Sequence, residues 1–167
     1  MEIGIGRELT RDIEEINSEI LSNLDESSLS DIKNPLHLIL QAHLYIEFML
    51  DRFITSELPK GNLIINKGFL SFKQKTLLAA TFTIIEPQVI DSILQLNKLR
   101  NNLAHKFNHV ITDNEANLIG RPLGKDFTRM EKDANGCLIC KLQFIVSFIA
   151  GCVATNAIMS ENTDIKE

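Results

Sequence analysis

The sequence has no Trp, one Tyr, and only eight Gly and four Pro among 167 residues. So few turn-forming residues leave an all-β sandwich without its chain reversals, and nine Phe as the main aromatics imply a core that is mostly aliphatic. Cysteine is scarce too. Three cannot pair completely, so no disulfide framework is expected, and Cys137 and Cys140, close together in an apolar stretch, read as reduced core thiols. The first ten residues lack an apolar run after a basic start and carry Glu2 and Glu8, so they do not read as a secretory signal, and a cytoplasmic protein is expected.

What is present is ordinary for a folded domain: 44% hydrophobic and 23% charged residues exclude disorder and low complexity as descriptions of the whole. The length suits one domain, taken as residues 1–160 with a polar tail at 161–167. One charge-free run, Leu142 to Met159, has 18 residues, at the lower edge of a bilayer span. Gln143, Ser147, Thr155 and Asn156 interrupt it, Lys141 abuts it and no basic cluster flanks it, so it reads as a core or dimer-interface helix and no membrane partner is expected.

The net charge of −5 conceals a segregation. Residues 60–109 hold seven Lys or Arg against Glu86 and Asp91, a balance of +5 that leaves −10 for the remainder. The middle of the chain can therefore face a polyanion, or form a solvated basic face. Helix signals are frequent. Ile13, Ile16, Ile20 and Leu24 follow helical spacing after Thr10; Asn34-Pro35 opens a long apolar helix to about Leu58; Ser71 and Gln74 form a capping-box pattern for a helix ending near Glu86. Pro87 starts another, to about Phe107. Asn108 to Gly136 reads as loop, apart from a short helix capped by Thr112 and Glu115, and Cys137 to Ser160 is the last helix. The fold class is all-α, a bundle of about five main helices.

The helix from Pro87 carries Leu96-Asn-Lys-Leu-Arg-Asn-Asn-Leu-Ala-His-Lys-Phe107, a dense set of groups suited to phosphate. Leu96, Leu99, Leu103 and Phe107 form an apolar stripe with Arg100 on its edge, while Asn101, His105 and His109 lie opposite. An inward guanidinium keeps its charge and must meet a carboxylate, carbonyls or an anion. His105 lies five residues on, about 140° round the helix, so both reach one ligand only if side chains wrap or a second subunit completes the site, which makes a symmetric dimer attractive.

The run Arg100-Asn-Asn-Leu-Ala-His105 resembles the motif of the HEPN superfamily, an Arg and a His separated by four to six residues with a polar residue after the Arg. The segment Ala42-His-Leu-Tyr-Ile-Glu47, then Phe69 to Lys75, then the motif helix is also similar to bacterial HEPN-like proteins and the mannitol operon repressor family, over roughly residues 35–110. The resemblance implies a helical homodimer that, in active members, joins two motifs into a metal-independent endoribonuclease site, as in toxin or defence systems. It implies Arg100 on the scissile phosphate and His105 as proton donor or acceptor. Asn101 and Asn102 would bind phosphate or orient the His, with Lys98 and Lys106 along the strand. The alternative it carries is a non-catalytic regulatory or interaction module with a protein partner.

His43, Glu47 and Asp51 recur every four residues on one face of the long helix and need partners there. Glu47 is expected to pair with Arg100 or to line the same cleft. No metal or cofactor is expected: His105 and His109 have ligand spacing, but Lys106 stands where a zincin motif needs Glu, and no phosphate-cradling Gly run occurs. Cys137 and Cys140 form a lone CxxC without a second pair, and with neither a strand before it nor a βαβ context a thioredoxin-like redox site is not expected; two core thiols are.

Overall fold

The computed structural model describes residues 26–105 and 108–163. The expected helix over residues 11–24, and Lys106 and Phe107, lie outside them. Among the described residues there are eight α-helices and no strand: α1 (Glu26–Asp31), α2 (Pro35–Glu57), α3 (Gly61–Lys67), α4 (Phe72–Ala80), α5 (Pro87–His105), α6 (Asp113–Gly120), α7 (Lys125–Ala134) and α8 (Leu138–Thr163). A 3₁₀ turn, Arg121–Leu123, joins α6 to α7. The all-α class is as expected; the count exceeds five because short helices occupy stretches that read as loop.

Helix α2 starts as its sequence dictates, with the Asn34 side chain accepting the His37 N–H at 3.0 Å and Pro35 at the first helical position. It lies along α8, the most extensive helix pairing among the described residues. Leu38, Ile39, Ala42, Ile46, Met49, Leu50, Phe53 and Ile54 of α2 and Leu142, Ile145, Val146, Ile149, Ala150 and Val153 of α8 are all within 2% of full burial. Helix α8 is long and apolar enough to cross a membrane by length and composition. Here its apolar stripe is the counterface of α2. Each fully buried Leu, Ile or Val contributes roughly 1.5–3 kcal/mol, so this seam outweighs any single polar contact.

Polar contacts fix the ends. Gln143 donates to the carbonyls of Ser30 (2.6 Å) and Ile32 (3.0 Å), fastening the end of α1 to α8. At the opposite end, the Arg52 guanidinium engages both carboxylate oxygens of Glu161, and Ser56 meets Ser160 at 2.7 Å. These bonds carry α8 into the stretch expected to be a polar tail.

Two expectations change. The helix from Ser71 stops at Ala80, where Thr81 to Thr83 form turns and Thr83 takes φ 57°, a break consistent with a Thr- and Ile-rich run. Residues 125–134 are helical, with Phe127, Met130 and Ala134 buried on one face. Gly124, at φ 59°, supplies the left-handed entry that a side chain would resist. Gly120 in α6 lies directly against the Phe127 ring, leaving no room for a Cβ. Gly120→Ala is expected to lower stability by about 1–3 kcal/mol through overpacking, read as a lower urea midpoint with an unchanged m-value.

Candidate functional site

The C-terminal half of α5 faces α2 on one side and the start of α4 on the other. Between them lies a cleft of about 390 Å³, lined by His43, Glu47, Ser71, Phe72, Lys73, Asn97, Arg100 and Asn101. The elements are placed by local rules. Ser71 caps α4 in a two-way box with Gln74, which sets Phe72 and Lys73 in the helix's first turn. Leu96 and Leu99 are buried, so Asn97 and Arg100, one and four positions round from Leu96, emerge beside the apolar stripe.

At the cleft floor, the His43 ring stacks on Phe72 with centroids 3.9 Å apart, and its Nε2 donates to Asn97 Oδ1 at 3.2 Å, since an amide oxygen can only accept. His43 is 6% exposed. Burial, joined by the Arg100 charge, lowers its pKa below the usual 6.5 against the opposing pull of Asn97 and Glu47, so the neutral ring is favoured at neutral pH.

Glu47 does line the cleft with Arg100, but it is not Arg100's ion-pair partner. Lys75 from α4 takes that role: its Nζ donates to Glu47 Oε1 and Asp51 Oδ2, each at 2.9 Å. The Lys75 side chain is 11% exposed. Burial works to lower its pKa, but the bonds to Asp51 and Glu47 outweigh it and hold the ammonium charged above the usual range. Asp51 is pushed up by burial, which exceeds the downward pull of Lys75. The polar strip expected on α2 therefore exists, with a lysine as its counter-ion.

Arg100 is half-buried and meets Asn101 Oδ1 at a long 3.4 Å. Among the described residues no carboxylate lies within ion-pair distance of it. A cation at a cleft mouth without a fixed counter-ion is suited to an anionic ligand. Lys73 and Asn101 add donors around it.

The other motif residues separate from this cleft. His105 is the last residue of α5 and exposed, and neither it, Lys98 nor Asn102, both also exposed, lines the cleft. Beyond it, His109 meets Glu115 at 2.8 Å, so it belongs to the start of α6. Burial tends to raise the Glu115 pKa, yet the Thr112 backbone N–H, the His109 ring and the Thr112 hydroxyl hold it below the usual carboxylate value. Among the described residues no cluster of three metal-ligating side chains forms. His43, Asn97, Ser71 and Lys73 were absent from the expected site, although Asn97 sits one turn before Arg100 and His43 one turn before Glu47.

Cys137 and Cys140 also depart from expectation. They are half-buried and joined as a disulfide at the start of α8. Comparison with protein-family models, curated proteins and solved structures gives no match.

Two outcomes follow. A His with a depressed folded pKa contributes stability that is full above pH 6.5 and is lost as pH falls through the folded value. Wild type should therefore lose more stability between pH 7.5 and 5 than His43→Phe, which keeps the stack on Phe72 but cannot titrate, as read from urea midpoints. Lys75→Met should cost about 3 kcal/mol by stranding two carboxylates, and adding Glu47→Gln with Asp51→Asn should restore most of it.

Proposed function

We propose that the chain is a metal-independent endoribonuclease of HEPN type whose active site is completed in a homodimer. The observation that carries this reading is the Arg100 guanidinium, half-buried at the mouth of a polar cleft without a carboxylate partner among the described residues. A guanidinium there suits a phosphate diester, with Lys73 and Asn101 beside it. Exposed His105 is reachable by a proton-bearing substrate atom.

The reaction that these groups suit is internal transfer. The 2′-hydroxyl attacks the adjacent phosphorus, an imidazole removes its proton or protonates the departing 5′-oxygen, and the guanidinium stabilises charge on the non-bridging oxygens. Arg100 and His105 are five positions apart, about 7.5 Å along α5 and 140° round it. Two copies of α5 packed antiparallel remove that obstacle, setting Arg100 of one protomer beside the partner's motif. Asn102 and Lys98 then lie along the RNA strand. Such an activity suits the toxic or defensive member of a regulated cytoplasmic pair.

One observation favours the non-catalytic alternative. The imidazole that shares a cleft with Arg100 is His43, whose Nε2 is already engaged by Asn97. On that reading the cleft binds an anionic ligand or partner and the chain regulates without cleaving, as in proteins similar to the mannitol operon repressor.

The test is cleavage of end-labelled structured and single-stranded RNA in EDTA. Arg100→Ala and His105→Ala should each slow cleavage by about 10²–10⁴-fold at matched folding. Mixing the two inactive variants should restore roughly a quarter of wild-type activity, because half the re-formed dimers hold one intact composite site. A silent wild type that binds RNA or a partner protein only when Arg100 is present would establish the binding module instead.

A further inference from the structure

We propose that Cys137 and Cys140 form a thiol–disulfide exchange site, with Cys137 as the sulfur that attacks and is attacked. The proposal is independent of the RNA reading. It rests on the two sulfurs being joined, on their place at a helix start and on the unequal surroundings of each.

Cys137 stands immediately before α8, a helix of 26 residues, and Cys140 lies in its first turn. The carbonyl of Cys137 accepts the Lys141 N–H at 2.9 Å, and its Sγ accepts the Cys140 N–H at 3.3 Å. That is the bonding of an N-cap residue, with sulfur where Ser, Thr or Asp usually stands. A thiolate formed on Cys137 inherits this N–H and the positive end of the helix, both of which stabilise the anion. The Cys140 sulfur accepts no such bond. The nearest buried cation gives little help, because Lys141 is bound to Asp113 (2.7 Å) and Glu131 (3.2 Å).

A structural staple is a poor account of this bond. It links residues three apart, so it closes a very short loop and removes little freedom from the unfolded chain. The ends it joins are already held by the helix itself. Cys152, outside the disulfide, lies twelve residues beyond Cys140 on the same helix, about 18 Å away, and cannot replace either sulfur. Both paired sulfurs belong to half-buried residues, not core ones.

The exchange balances with a dithiol as co-reactant. One thiolate of the dithiol attacks Cys137 Sγ, the Cys137–Cys140 bond breaks, and Cys140 leaves as thiolate and takes a proton. The second thiol of the reductant then attacks its own sulfur in the mixed disulfide. Cys137 departs as thiolate and the reductant leaves as a disulfide, two electrons having moved to the protein. The reverse sequence oxidises the pair at the expense of a disulfide substrate.

The test uses the full chain carrying Cys152→Ser, with folding of each variant checked by far-ultraviolet circular dichroism. At pH 7, the chain with Cys140→Ser should react with dithiobis(nitrobenzoate) on the order of tenfold faster than the chain with Cys137→Ser. With both cysteines present, mixtures of reduced and oxidised dithiothreitol should interconvert the pair reversibly, seen by alkylation and intact mass, without loss of helicity. Equal rates for the two single thiols would overturn the proposal. So would a pair that stays dithiol in excess oxidised dithiothreitol, or a disulfide that yields only when the chain unfolds.

Discussion

Helix α2 has to be buried on two sides at once, and the rest of the molecule follows from how it does so. Its apolar side seals against α8 in a seam of aliphatic residues with essentially no exposure. Its other side carries His43, Glu47 and Asp51, which can enter a protein interior only with partners. Helices α4 and α5 supply them: Phe72 and Asn97 for His43, and Lys75 for the two carboxylates. The cleft is the space left where three helices converge on that polar strip.

Two lysines divide the work of fixing register. Lys75 ties α4 to α2 through Glu47 and Asp51, and Lys141 ties α8 to α6 and α7 through Asp113, Asn117 and Glu131. An apolar seam tolerates sliding at modest cost, whereas an ammonium aimed between two carboxylates has one good position. The net gain from such a pair is small, because desolvation consumes most of the Coulomb attraction; losing one member is what costs several kcal/mol. The two clusters act as locators set beside a core that provides the stability.

Much of this was legible in the sequence where one helix's own pattern decides. Asn34-Pro35, Ser71–Gln74 and Thr112–Glu115 marked helix starts that the structure places there, and the apolar run after Lys141 proved to be the counterface of α2. Residues 125–134 were missed because Gly120, Pro122 and Gly124 read as a long loop, although one turn accommodates all three before Phe127 and Met130 resume helical spacing. Partners across helices were harder. That Glu47 needed a cation followed from its face of α2; choosing Lys75 over Arg100 requires the relative placement of α2, α4 and α5. The same holds for His43 and Asn97, 54 positions apart.

The placement of Arg100 and His105 carries the functional argument. Buried Leu96 and Leu99 fix the rotation of α5, so Arg100 must emerge at the edge of the core, beside α2, while His105 is carried to the outer face at the helix end. Arg100 lines the cleft, whereas His105, five positions on and about 140° round the helix, is exposed and does not. On the proposed nuclease reading, catalysis by this pair therefore calls for two chains, while the cleft beside Arg100 belongs to one. His43 does not relieve it. Its depressed pKa favours a neutral ring whose Nε2–H is spent on Asn97, which suits a wall that shapes the cleft better than a proton shuttle. On the proposed reading, binding and proton transfer thus sit on separate parts of one chain, and assembly would reunite them.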